Sequence, residues 1–137
     1  MIRQIVRDPF LLGQRAEDAS AEDAGSVGRD LRDTLREHRD RCVGMAANMI
    51  GSRKRIIIVC TDTGDVVMLN PVLLAADDPY EAEEGCLSLE GLRRTTRYRR
   101  IEVEYLDEKW KRRRRHYSGR TAQIIQHEMD HLSGILI

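Results

Sequence analysis

The stretch Gln126-His127-Glu128-Met129-Asp130-His131 constrains this chain more than any other. On a helix, His127 and His131 stand one turn apart on the same face with Glu128 beside them. That arrangement suits a divalent metal and a base for its water. The plain alternative is two histidines on an ordinary amphipathic helix, so the neighbouring residues have to decide.

The neighbours favour a helix. At roughly 100° per residue, Ile124, His127, Glu128 and His131 share one arc. Ala122, Ile125, Met129 and Leu132 share the next, and Gln123, Gln126, Asp130 and Ser133 a third, polar one. Ser118 is the expected N-cap and Gly134 the expected residue just past the C-terminus. Such a helix buries an apolar face, turns a second toward a site and leaves the third to water or to polar partners.

A chain of 137 residues has room for one domain, residues 1–137, with a modest core. Its net charge of zero implies neither nucleic acid nor an anionic membrane as partner. No apolar run approaches a membrane span, and the first residues lack the apolar core of a secretory signal. The expectation is a soluble, cytoplasmic protein. Cys42, Cys60 and Cys86 are too few and scattered for a disulfide framework, and an odd count leaves at least one thiol free.

Residues 1–21 read as an extended start bent at Asp8-Pro9, followed by a polar connection. From about Glu22 to Arg39, Val27, Leu31 and Leu35 recur at helical spacing among charged residues, predicting a surface helix packed by a narrow stripe. Residues 54–60 and 65–74 read as two strands of a hairpin around Thr63-Gly64. Acidic residues then gather from Asp77 to Glu84, interrupted by Pro79. Ile101, Val103 and Tyr105 alternate with Glu102 and Glu104 as in a half-buried strand, and residues 110–117 return antiparallel. The run Lys111 to Arg115 is a candidate patch for ribosomal RNA, but a solvated strand with arginines facing glutamates explains it better.

A metal held firmly by two histidines needs a third protein ligand if one position is to stay open for water. Cys86, between Gly85 and Leu87, is the best candidate. A lone cysteine is more often a small buried hydrophobe, and here its surroundings outweigh that reading.

Three separated stretches resemble the three motifs of peptide deformylases: Val43-Gly44-Met45-Ala46-Ala47-Asn48-Met49-Ile50-Gly51, Glu84-Gly85-Cys86-Leu87-Ser88, and Gln126 to His131. Their order and separation match too, and Asp8-Pro9 is similar to the family's opening. The resemblance implies an α+β fold of antiparallel strands wrapped around a central metal-binding helix. It also implies hydrolysis of the N-formyl group from the initiator methionine of nascent polypeptides. Cys86, His127 and His131 are the implied ligands of one divalent metal ion, Fe²⁺ in the cell and Zn²⁺ or Ni²⁺ after purification. Glu128 is the implied general acid and base, and the backbone N–H of Leu87 an implied oxyanion donor.

Val43, Gly44 and Gly85 lie where the family's backbone grips the peptide as an added strand. Val43 and Ile124 are candidates for the methionine pocket, and Glu84 is expected to tie the first motif to the second. The implied partners are formyl-methionyl nascent peptides, with the ribosome near its polypeptide exit as a further candidate. No membrane and no specific nucleic-acid sequence is implied.

One departure concerns the chemistry. Where the family carries a glutamine donor, this chain has Met49, whose thioether cannot donate. Losing such a donor typically costs about 10² to 10³ in rate, so reduced activity is expected. Asn48 is next to it, but one residue along a backbone normally points elsewhere. The chain also stops at Ile137, where many relatives continue. Two other readings stay open: a paralogue that binds metal and N-terminally modified peptides without efficient turnover, favoured by Met49, and another metal-dependent amide hydrolase or peptidase. The intact Glu128 speaks against the first.

Overall fold

The computed structural model describes residues 1–137. Its frame is one antiparallel sheet whose strands lie in chain order: β1 (Gly44–Ala46), β2 (Ile56–Thr61), β3 (Gly64–Glu84), β4 (Arg93–Leu106) and β5 (Arg112–Ser118). Sequential neighbours joined by short turns pair most readily, and Asp62-Thr63 closes β2 onto β3 with Thr61 opposite Gly64. Ile56, Ile57, Ile58 and Val59 are all buried. A strand buried at consecutive positions is covered on both faces, and helices α2 (Ala21–Glu37) and α3 (Gly119–Leu132) both pack on β2. Leu31 and Leu35 of α2 and Ile125 and Leu132 of α3 fill the core there.

Two regions differ from the sequence expectation. The acidic stretch from Asp77 to Glu84 is not a separate segment but the far half of β3, paired with β4 from Asp77↔Arg100 to Glu84↔Arg93. Arginines across the ladder make an acidic strand tolerable: Arg100 meets Asp77 at 2.7 Å, and Arg97 meets Glu84. Register shifts near Asn70 and Leu74 let so long a strand bend. The N-terminal segment also carries a turn of helix, α1 (Pro9–Leu12), begun by Asp8 accepting from the Phe10 N–H at 2.9 Å. Asp before Pro supplies a cap followed by a residue that needs no N–H partner. Leu12 enters the core.

Helix α3 carries the sequence-predicted histidines, and its ends are fixed from outside. Ser118 is its N-cap in extended backbone, without a side-chain cap bond. At the other end the carbonyls of His131 and Leu132 have no partner within the helix. Asn48 Nδ2 donates to the first at 2.8 Å and the Ala16 N–H to the second at 2.9 Å. Gly134 follows at φ +77°, where a Cβ would stand 2.5 Å from the Gly13 carbonyl oxygen. Only glycine suits both that conformation and that contact. No helix is long and apolar enough to cross a membrane.

Candidate metal centre

His127 and His131 leave α3 one turn apart, and the loop after β3 brings Cys86 to them. His131 Nε2 lies 3.2 Å from His127 Nε2 and 3.3 Å from Cys86 Sγ, and all three atoms lie within 4.8 Å of one another. His127 Nδ1 faces Glu84 Oε1 at 2.8 Å. A carboxylate there keeps the proton on Nδ1, so Nε2 presents its lone pair to the cluster. One sulfur and two imidazole nitrogens converging within 4.8 Å is a donor set for a transition metal, with Zn²⁺ and Fe²⁺ among the ions it suits. The residues present therefore fit a divalent metal cofactor.

Behind the cluster is a charge network that the sequence did not announce. Arg97, from β4, is 3% exposed and donates to both oxygens of Glu84, with the shortest contact 2.6 Å from Nη2 to Oε1. Its Nη1 donates to Asp130 Oδ2 at 2.6 Å, and Gln123 Nε2 donates to Glu84 Oε2 at 2.8 Å. Burial penalises the charge of Glu84, yet hydrogen bonds from His127, Arg97 and Gln123 hold its carboxyl down to about 2. Glu84 thus links the second motif to the third, not to the first as expected from sequence.

Glu128 points the other way, under β1. At Gly44 a Cβ would lie 2.7 Å from Ile124 Cγ2 and 3.0 Å from Glu128 Oε2, so only bare backbone fits over the carboxylate. Glu128 Oε1 is buried without a protein hydrogen-bond partner. Burial pushes the Glu128 carboxyl up to about 7, His127 opposing it. A carboxyl poised there can exchange a proton near neutrality.

A cleft of about 260 Å³ opens onto this centre. Val43, Gly44, Gly85, Cys86, Leu87, Ile124, His127, Glu128 and Met49, all singled out in the sequence, line it together, while His131 is fully buried behind. The Leu87 N–H donates to no group of the protein, and Arg7 Nη1 holds the Leu87 carbonyl at 2.9 Å. The Ser88 N–H reaches Cys86 Sγ at 3.5 Å. Met49 is buried, and its sulfur accepts from the Ala46 N–H at 3.4 Å. Asn48 turns its amide to the carbonyl of His131, away from the cleft.

Sequence reasoning missed Arg97 and the lining residues Arg41, Arg120 and Gln123. Gln126, assigned to the polar arc, is buried and exchanges two bonds with the backbone of Tyr98, at 2.9 and 2.8 Å. The helical pattern carries no signal of this, because Gln126 shares its arc with Gln123, Asp130 and Ser133.

The polypeptide deformylase family model matches residues 2–137. A peptide deformylase of Clostridium beijerinckii is 51% identical over the whole of both chains. One of Pelotomaculum thermopropionicum is 37% identical over 91% of this chain and 84% of its own. Among solved structures, a class I type b peptide deformylase of Acinetobacter baumannii with Met-Ala-Ser bound superposes with a TM-score of 0.89 at 28% identity, covering 99% of this chain and 97% of that one. The peptide deformylase of Thermotoga maritima gives 0.89 at 30% identity, over 99% and 95%.

Proposed function

We infer that this chain, which belongs to the peptide deformylase family, is an enzyme that removes N-formyl groups from nascent peptides. We propose that it does so with one divalent metal ion held by Cys86, His127 and His131, and with Glu128 as general acid and base. The convergence of Sγ and two Nε2 atoms beside a buried carboxylate carries this reading. When bound, the ion supplies positive charge for the formyl oxygen and lowers the pKa of a water.

Glu128 takes the proton of the attacking water and gives it to the amine nitrogen as the C–N bond breaks, leaving formate and a free N-terminus. The Leu87 N–H donates to the oxyanion that forms on the former carbonyl oxygen. Glu84 fixes the His127 ring, and Arg97 fixes Glu84. The peptide lies as an added strand along Val43, Gly44 and Gly85, with Val43 and Ile124 against the methionine side chain. The Met-Ala-Ser held by the Acinetobacter relative supports a methionine at that position.

Fe²⁺ is the ion we assign in the cell, with Zn²⁺ or Ni²⁺ after purification; sulfur and imidazole donors support all of these. The reaction belongs to the cytoplasm, where nascent chains meet the enzyme near the ribosomal exit, and the substrate itself supports that setting. Residues 1–137 act as one domain, an assignment supported by the single sheet with α2 and α3 packed on it.

Met49 sets the rate. Its thioether accepts a bond from the Ala46 N–H and has no hydrogen to offer an oxyanion. Met49→Gln is expected to raise kcat by up to about 10² with KM little changed, because the donor acts on charge that appears in the transition state. A flat kcat would show that residue 49 does not limit the rate. The direct test of the reading is formate release from a formyl-Met peptide by protein loaded anaerobically with Fe²⁺. Glu128→Ala is expected to retain the ion, by metal analysis, while losing nearly all turnover. Turnover near the parent rate would assign the proton to another group.

A further inference from the structure

Two arginines stand at the cleft with no part in the chemistry described above. Arg120 lies in the first turn of α3, four residues before Ile124, so it occupies the same helix face as the site, one turn further out. Arg41 lies in the turn after α2, just ahead of the Val43–Gly44 backbone, and both arginines line the cleft. Neither guanidinium is held by a close carboxylate. Arg41 meets only its neighbour Asp40, at 4.0 Å with both side chains largely in water, and Arg120 has no ion pair.

Of the acids lining the cleft, Glu84 is bound to Arg97, Gln123 and His127 and Glu128 is buried. Glu83 is exposed and makes no ion pair, but it leaves the two arginines unpaired as well, so the lining keeps more free cations than free acids. Formylation removes the terminal ammonium, so the first charge on a substrate belongs to a side chain beyond the methionine. Arg41 and Arg120 are both exposed, so among the residues lining the cleft they stand at its rim, where the part of a peptide that leaves the cleft passes.

We propose that Arg41 and Arg120 form a cationic rim that selects formyl-methionyl peptides with an acidic side chain in the first positions after the methionine. This rests on the deformylase reading. Each contact is solvent-exposed, so the selection is modest and sensitive to salt.

The test uses metal-loaded protein and the C-terminally amidated peptides formyl-Met-Asp-Ala, formyl-Met-Asn-Ala and formyl-Met-Lys-Ala. At low ionic strength the aspartyl peptide is expected to exceed the lysyl peptide about tenfold in kcat/KM, with the gap closing as salt is added. The double variant Arg41→Glu/Arg120→Glu is expected to reverse the order. Calorimetric binding of the same peptides to Glu128→Ala protein reads the rim without hydrolysis. Tighter binding of the aspartyl peptide with no turnover by the parent enzyme would uphold the rim and overturn the activity. Equal kcat/KM and equal affinity for the aspartyl and lysyl peptides, or an unchanged order in the double variant, would overturn the rim. A preference for formyl-Met-Asn-Ala as free acid over its amide, with no side-chain preference, would assign the arginines to a terminal carboxylate and overturn the proposal as stated.

Discussion

Arg97 and Arg114 both leave neighbouring strands to meet carboxylates at hydrogen-bond distance, yet Arg97 is 3% exposed and Arg114 is 64% exposed. Arg97 is shared between Glu84 and Asp130, and Glu84 in turn holds His127. Arg114 meets Glu102 at 2.9 Å on the open face of the β4–β5 ladder, where Arg112 meets Glu104 at 3.4 Å. In water the attraction of such a pair is nearly offset by hydration and side-chain entropy. In the interior the same pair loses its hydration, and removal of either member leaves a charge stranded. Burial, more than residue type, decides which arginines hold the metal centre in place.

The largest effect follows from stranding Glu84. Arg97→Met replaces the guanidinium with an apolar chain and leaves the carboxylate with only His127 and Gln123 as partners. Breaking one side of a buried pair costs about 3–5 kcal/mol. A fall of that size in unfolding free energy, measured by denaturant titration on metal-free protein, is the expected outcome. A loss no larger than that of a surface pair would show that His127 and Gln123 suffice to keep Glu84 charged.

That asymmetry also explains which parts could be read from the sequence. The i, i+4 histidines, the acid between them and the glycine-flanked Cys86 are local patterns; the donor atoms of Cys86, His127 and His131 lie within 4.8 Å of one another, and Glu128 lines the same cleft. The exposed ladder was legible as well, since Ile101, Val103 and Tyr105 alternate with acids and the returning strand is rich in arginine. The pairing there is diagonal: Arg114 stands opposite Glu104 in register but bonds Glu102. Arg97 carries no such local signal. It lies 13 residues from Glu84 and 33 from Asp130, among other arginines, and only the register of β3 on β4 and the docking of α3 bring them together. The same cause hid the acidic half of β3, because its pairing depends on charges from another strand. Asn48 was read as pointing away from the reacting centre, and it does, but its task of capping the His131 carbonyl depends on a distant contact.

A smaller effect is expected where charge is removed and shape kept. Glu84→Gln retains an oxygen for the His127 N–H but loses the negative charge that favours a lone pair at Nε2. It also leaves Arg97 with Asp130 as its one remaining carboxylate. Metal affinity, measured by competition with a chelator, is expected to fall about 10- to 100-fold. Affinity equal to that of the parent would mean that the ring is oriented by packing alone.

The smallest effect belongs to the open ladder, and it limits the comparison from the other side. Arg114→Ala removes a 2.9 Å contact to Glu102, a geometry as short as the contacts of Arg97 Nε with Glu84, at 2.9 and 3.1 Å. Glu102 is 15% exposed with Arg114 over it; losing that side chain opens it further to water while it keeps His116 Nε2 at 2.9 Å, so no charge is stranded. The strand also retains its backbone pairing from Arg100↔Ser118 to Leu106↔Arg112, which does not depend on the side chain. A change in Tm of no more than about 3 °C is therefore expected, with metal content unaffected. A drop as large as that of Arg97→Met would mean that contact geometry outweighs burial, and the separation drawn between the two arginines would fail.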